Sequence, residues 1–358
     1  MVHHWLPIYC LLNLISIVSA GQTVFEKNLV VTKVSFNDIL QHHNQYDTLH
    51  KHIKNFRGGP TLAYVTPWNS HGYDVVKMFK GKFDYVSPVW YNVQRRGRRE
   101  YVLKGGHDVD KGWMEQVRGT DNSRIMGRIV PRFLFDSWTQ EDLTALIQDE
   151  GETEAIVSII AKECEVHGFD GLVLEALVPT LLRHTIKALA DRLHEQGREL
   201  VLVIPPKREG GGGLRELVAD YGQFVDLFSL MTYDYSGSVP GPNSPIDWVE
   251  ENLDDLSVNP HKLLLGINLY GMDYGGSQPT PVIGKTVLEL LTRHRPKVKW
   301  SADHEEHSFE YTEGGARHQV WYPSLKSLES RLELAEEYDV GVALWEVGQG
   351  LDYFYELL

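Results

Sequence analysis

The stretch Phe169-Asp170-Gly171-Leu172-Val173-Leu174-Glu175 is almost continuously apolar up to its final glutamate. Runs of this kind are typical of parallel strands that are buried on both faces. Seven further runs occur, at residues 62–66, 83–90, 128–135, 200–204, 225–231, 263–269 and 340–345. Stretches with helical periodicity separate them, for example the stripe Leu181, Leu182, Ile186, Leu189, Leu193. Eight strands alternating with helices predict an α/β fold, a (β/α)8 TIM barrel, with a doubly wound sheet as the alternative.

The pattern also predicts how the chain is divided. Residues 58–358 form the barrel, and a small α+β insertion at about residues 273–322 separates strands seven and eight, because this connection is longer than usual. Residues 21–57 precede the first strand as a polar N-terminal arm with four histidines. A metal site is one interpretation of these histidines, and a solvated arm is the simpler one.

Residues 1–20 are predicted to be a secretory signal peptide. A short apolar stretch at residues 8–18 leads to Val18-Ser19-Ala20, a small-residue cleavage site. A membrane anchor or a buried first helix is the alternative, although the stretch is too short to span a bilayer. The expected location is therefore secreted, or in a late endosome or lysosome.

Composition limits the function further. The chain has 358 residues, of which 42% are hydrophobic and 23% charged, so a folded globular protein is expected. The formal net charge of −14 argues against nucleic-acid binding, which needs a basic surface. The phosphate-loop-like Gly284-Lys285-Thr286 has Pro279 where a glycine is required, and no cofactor or metal site is predicted.

Aromatic and polar side chains gather where the predicted strands end. In barrels of this type ligands bind at the carboxyl ends of the strands. Flat rings with a few hydrogen-bonding groups suit a sugar, so we predict a carbohydrate cleft there. The candidate residues are Trp68, Asn69, Trp90, Tyr233, Asp234, Tyr270 and Trp345.

Three segments resemble the chitinases, family-eighteen glycoside hydrolases. The fourth run, from Phe169 to Leu177, resembles their signature D-G-x-D-x-D-x-E, and Met231-Thr232-Tyr233-Asp234 resembles their M-x-Y-D. Trp345 falls where the family has a tryptophan beneath the sugar. The resemblance extends from about residue 60 onward. It implies binding of chito-oligosaccharides, stacking on Trp345, and hydrogen bonds from Tyr233 and Asp234 to the N-acetyl group and hydroxyls.

One departure from the signature concerns catalysis. Leu177 occupies the place of the glutamate that serves as general acid, and a leucine has no proton to donate. We therefore expect a carbohydrate-binding protein without chitinase activity rather than an enzyme. Glu175 faces the same side one step deeper, about 6–7 Å away, and an enzyme with this displaced acid is the alternative. A Glu175 that bonds Tyr233 or Asp234 and shapes the floor is the simpler expectation. The third functional hypothesis is a scaffold protein whose cleft is filled by its own side chains.

Two further partners are considered. Arg95, Arg96, Arg98 and Arg99 follow the second run, and four guanidinium groups would suit an anionic glycan such as lipopolysaccharide. A solvated loop is the simpler interpretation. The resemblance also implies a role in innate sensing and sorting with a scavenger receptor of the stabilin type.

Overall fold

The computed structural model describes residues 22–119, 127–207, 214–256 and 259–358, so the predicted signal peptide lies outside the described residues. Its strands are β1 Thr61–Val65, β2 Tyr85–Pro88, β3 Tyr91–Gly97, β4 Glu100–Lys104, β5 Arg128–Ile129, β6 Arg132–Phe135, β7 Gly171–Glu175, β8 Glu199–Ile204, β9 Leu227–Leu230, β10 Leu263–Asn268, β11 Gly271–Asp273, β12 Thr280–Val282, β13 Val298–Ser301, β14 Glu306–Glu313, β15 Ala316–Tyr322 and β16 Gly341–Trp345. Its α-helices are α1 Phe36–His42, α2 His71–Met78, α3 Lys111–Arg118, α4 Gln140–Gln148, α5 Glu150–His167, α6 Arg183–Glu195, α7 Leu214–Tyr221, α8 Ile246–Leu256, α9 Gly284–His294 and α10 Leu325–Glu337.

Parallel pairing closes eight strands into a ring. From β6 the order runs through β7, β8, β9, β10 and β16 to β1 and β2. The second and third strands are each in two pieces, and β2 pairs with β5 while β3 pairs with β6. All eight predicted strands are present, and the (β/α)8 barrel is confirmed.

Side chains alternate between two cores along each strand. In β7, Val173 joins the core inside the barrel, whereas Leu172 and Leu174 join the core between barrel and helices. In β16, Ala343 and Trp345 face inward by the same rule. This period of two is a property of extended backbone, so it also directs Glu175 inward.

The predicted insertion lies between β10 and β16. It is an antiparallel sheet with the order β12-β11-β15-β14-β13, and α9 lies between its second and third strands along the chain. On β14, the buried Glu306 pairs with the buried Arg331 of α10 at 3.4 Å. The insertion is thus attached to the barrel through a buried ion pair.

The N-terminal arm is not the solvated segment that its composition suggests. Val24 is fully buried, and its backbone N–H donates to the Glu356 carboxylate at 2.8 Å. The Asn55 N–H donates to the carbonyl of Leu358 at 2.7 Å. The arm therefore packs against the C-terminal segment. Its overall polar composition did not predict this, because the contact depends on a single buried valine and on backbone N–H groups.

Two of the four histidines of the arm have ordinary hydrogen-bond partners. His50 Nδ1 lies 2.5 Å from the Asp47 carboxylate, and His52 Nδ1 lies 3.0 Å from the carbonyl of Lys80. No group of three or more potential metal ligands occurs within the described ranges. In the same part of the chain, every helix is too short or too polar to cross a bilayer.

Replacing Glu356 with alanine should destabilise the protein. The change leaves the buried N–H groups of Val24 and Asp47 without their acceptor, at a cost of roughly 1–3 kcal/mol each. Urea unfolding should show a lower midpoint than wild type. Glu165→Ala, which removes an exposed carboxylate paired with Lys162, is the matched control and should leave the midpoint unchanged. Equal midpoints for Glu356→Ala and wild type would contradict this account of the arm.

Candidate functional site

A cleft of about 440 Å³ opens at the carboxyl ends of β9, β10 and β16. Loops after β9 and β16 form its sides, and the insertion supplies one wall. It lies where barrels of this type bind ligands. The lining residues are Asp234, Ser236, Gly237, Asn243, Tyr270, Met272, Tyr274, Pro281, Trp345 and Gln349.

Trp345 is the aromatic platform of the cleft. It ends β16 on the inward side, and its ring meets the ring of Tyr64 edge-on at 5.0 Å between centroids. The Arg132 guanidinium lies 5.7 Å from the ring centroid, within the range of a cation–π contact. The indole is therefore held from within the barrel and is partly exposed to the cleft.

Asp234 and Tyr270 form a hydrogen-bonded pair in the cleft. The Tyr270 hydroxyl donates to Asp234 Oδ1. Burial raises the pKa of Tyr270 far above its usual value, and the charge of Asp234 adds to the shift. The tyrosine therefore remains a hydroxyl donor, while the exposed carboxylate of Asp234 can also accept hydrogen bonds from a ligand.

Beneath the platform, Glu175 pairs with Arg132. Its Oε2 lies 2.8 Å from Arg132 Nη1. The sequence had predicted a hydrogen bond to Tyr233 or Asp234 instead. Arg132 lies on β6 opposite Val173 and so faces inward as Glu175 does. Tyr233 is close by, and burial followed by the charges of its neighbours raises its pKa well above the usual value. The floor of the barrel mouth is thus an ion pair beside Tyr64 and Tyr233.

Leu177 lies two residues beyond the end of β7, and 70% of its surface is exposed. The structure therefore places an aliphatic side chain in the solvent near the mouth of the barrel. No proton donor is available from this position.

Five predicted site residues do not line the cleft: Glu175 and Tyr233, which lie at the floor described above, and Trp68, Asn69 and Trp90. Trp90 is 3% exposed and packs in the outer core, where its Nε1–H donates to the Tyr73 hydroxyl at 2.8 Å. Its inclusion in the cleft was wrong, because Val89 takes the inward position and Trp90 therefore points toward the helices. Asn69 donates to the buried Glu346 at 2.6 Å. Trp68 is 69% exposed on the loop after β1.

The arginine cluster lies on the β3–β4 hairpin and is largely paired within the protein. Arg95 contacts Glu152 at 2.7 Å, and Arg98 and Arg99 contact Asp149 at 3.4 and 2.9 Å. Arg96 donates to the Gln94 side chain at 3.1 Å. Carboxylates thus hold Arg95, Arg98 and Arg99, whereas Arg96 bonds a neutral amide, and the site for anionic glycans stays a prediction.

Several residues of the site were not predicted from the sequence. Met272, Tyr274 and Pro281 belong to the insertion, whose short strands carry no signal for the side that faces the barrel. Arg132 did have a signal, because it is a charged residue inside an otherwise apolar strand run.

Glu346 is a buried acid directly behind the cleft. It follows Trp345 and faces α2, where it accepts hydrogen bonds from Asn69 and from the Gly348 N–H at 2.8 Å. Burial raises its pKa to about 7, against smaller opposing effects from these donors and from His71. A Cβ at Gly72 would lie 3.1 Å from Glu346 Oε2, so a larger residue there would press on this carboxylate.

Glu346 should make stability depend on pH. The folded protein retains this proton up to about pH 7, whereas the unfolded chain loses it near the ordinary value of 4.5, so stability falls as pH rises between the two. Glu346→Gln lacks this titration. Its free energy of unfolding relative to wild type should therefore rise by about 3 kcal/mol from pH 4.5 to 8. Urea unfolding at several pH values measures the difference, and a difference that is constant with pH would contradict the shifted pKa.

Comparisons with known proteins place this barrel in a family. A family model described as glycosyl hydrolases family 18 matches residues 135–350. The cortical fragment-lytic enzyme of Bacillus anthracis is 30% identical over 149 residues, which are 38% of this chain and 35% of that enzyme. The match thus spans about a third of the length of such curated relatives.

Solved structures share the fold. A chitinase from Chromobacterium violaceum has 22% identity and a TM-score of 0.71 over 84% of this chain and 97% of that chain. A mutant family 18 chitinase from Cycas revoluta, in complex with (GlcNAc)4, has 14% identity and a TM-score of 0.68 over 84% of this chain and 98% of that chain. At these identities the likeness concerns the fold alone. Because the family model covers more than half of the residues, the chain belongs to glycosyl hydrolase family 18.

Proposed function

We propose that this protein binds chito-oligosaccharides without hydrolysing them. The observation that carries the proposal is Leu177, which is exposed near the mouth of the barrel. The resemblance of residues 169–177 to the family signature implies that the general acid would stand at this position. Loss of general acid catalysis typically lowers a rate by about 10²–10⁴-fold. The protein is then a chitinase-like lectin rather than an enzyme.

The geometry of the cleft supports sugar binding. Trp345 offers a partly exposed ring for stacking on a sugar face, and Asp234 and Tyr270 lie in the same cleft with hydrogen-bonding groups. A family 18 chitinase with the same fold has been solved with (GlcNAc)4. We assign N-acetylglucosamine oligomers as the ligand class on these grounds.

A weak glycoside hydrolase is the second candidate, because similar proteins are named as lytic enzymes and chitinases. Glu175 would have to act as the displaced acid. Its ion pair with Arg132 opposes this role, since the guanidinium holds one carboxylate oxygen at 2.8 Å and would have to be displaced before that oxygen could approach a glycosidic bond.

Location and partners form a further part of the proposal. Segments 64–74 and 345–355 resemble the stabilin-interacting chitinase-like protein, also called chitinase domain-containing protein. On that resemblance we propose a secreted or late endosomal and lysosomal protein with a role in innate sensing and a stabilin-type scavenger receptor as partner. The signal-like residues 1–20 support the secretory route.

Trp345→Ala should weaken binding of tetra-N-acetylchitotetraose by roughly 30-fold, because loss of an aromatic anchor at the centre of a contact costs about 2 kcal/mol. Isothermal titration calorimetry measures the change. Trp300→Ala is the matched control, since Trp300 lies on β13 against His307 and outside the cleft. If wild type binds no oligomer, the lectin proposal fails and the filled-cleft scaffold is favoured.

Purified wild type should release reducing ends from chitotetraose no faster than a protein-free blank. Glu175→Gln should be indistinguishable from wild type, because the ion-paired carboxylate takes no part in proton transfer. A measurable wild-type rate that disappears in Glu175→Gln would instead establish the displaced-acid enzyme. A wild-type rate that survives this substitution would also refute the proposal and would require another acid.

A further inference from the structure

Asp234 has a backbone conformation that needs support. Its φ is +60°, in the left-handed region that residues other than glycine seldom adopt. Its backbone N–H donates to Asn243 Oδ1 at 2.7 Å. This bond links the start of the loop between β9 and α8 to its end, so the position of Asn243 determines where the Asp234 carboxylate points.

Asn243 is in turn held by the insertion. The backbone N–H groups of Asn243 and Ser244 donate to the two carboxylate oxygens of Glu306, at 3.0 and 2.6 Å. Glu306 is 5% exposed and begins β14. A carboxylate that accepts two backbone N–H groups in a buried site allows little displacement of either partner.

Glu306, with the backbone of Asn243 and Ser244, forms a clamp on this loop, and Arg331 joins the clamp from the barrel side. Its guanidinium lies 3.4 Å from Glu306 and donates to the carbonyl of Ser244, and its side chain is almost fully buried. The Ser244 hydroxyl donates to the carbonyl of Thr232 at 2.6 Å, which closes the loop near its other end. These hydrogen bonds therefore connect α10 and the insertion to Asp234, which lines the cleft together with Trp345.

We propose that Glu306 is a positioning residue for Asp234 and that it acts through Asn243. It contributes no atom to the lining of the cleft but fixes the left-handed turn that presents the Asp234 carboxylate beside Tyr270. The inference deepens the proposed function and rests on it for the identity of the ligand. Its consequence is specificity: a correctly placed Asp234 favours neutral oligomers with N-acetyl groups over neutral oligomers without them.

The first measurement compares affinities for two neutral probes, tetra-N-acetylchitotetraose and cellotetraose, which carries a hydroxyl in place of each N-acetyl group. Wild type should prefer the acetylated probe by at least about tenfold, the effect of one hydrogen bond to a charged group. Glu306→Ala and Asn243→Ala should both reduce this ratio to near one. Asn243→Asp retains an oxygen acceptor for the Asp234 N–H and should keep most of the preference.

The second measurement needs no ligand. Hydrogen exchange followed by mass spectrometry should show faster exchange in residues 232–237 of Glu306→Ala, with the barrel strands β7 and β8 unchanged. Glu310→Ala, on the same strand but paired at the surface with Arg317 and Lys299, is the control and should change neither exchange nor the affinity ratio. If Glu306→Ala does not fold, Glu306→Gln and the two Asn243 variants take its place.

The two measurements separate the two ideas. A folded Glu306→Ala with wild-type exchange in residues 232–237 and a wild-type affinity ratio would overturn the positioning role while leaving the lectin intact. If wild type binds neither probe but exchange rises in Glu306→Ala, the clamp is supported and the proposed function fails. A lower ratio together with faster local exchange supports both.

Discussion

The alternation of side chains in a closed barrel is the constraint on which the site depends. Each of the eight barrel strands, with the two split strands counted as wholes, has a partner on both sides. None of them can therefore slip by one residue without exchanging its inner and outer side chains. In β7 this directs Val173 and Glu175 into the barrel, whereas Leu172 and Leu174 point outward to the helices. The same register brings Arg132 of β6 opposite Val173 and within reach of Glu175.

Electrostatics at the barrel mouth follow from this register. The pairing of β6 with β7 brings a carboxylate and a guanidinium together at the floor, where each compensates the charge of the other. The guanidinium also lies near the Trp345 ring, so the platform, the cation and the anion form one unit. Such a unit gives the floor of the barrel mouth a fixed shape, because the contacts of the guanidinium with the ring and with the carboxylate restrain all three groups.

The insertion has two roles in this arrangement. Met272 and Tyr274 line the cleft directly, whereas Glu306 acts from a buried position behind it. A cleft built partly by an inserted sheet depends on how that sheet is attached, and the Glu306–Arg331 pair is part of the attachment. The shape of the cleft therefore depends jointly on the loop between β9 and α8, on the insertion and on α10.

The sequence by itself determined the eight barrel strands, the place of the insertion and the aliphatic residue at position 177, because each is a local pattern of hydrophobicity or a single side chain. It could not determine the phase of the alternation, and so Trp90 and Trp345 looked alike although one faces the helices and the other the cleft. Nor could it reveal that Glu175 would pair with Arg132, that Glu346 would be buried, or that the arm would pack on the C-terminal segment. These contacts join residues from about 40 to more than 300 positions apart, and only the closed tertiary structure brings such distant groups within bonding distance.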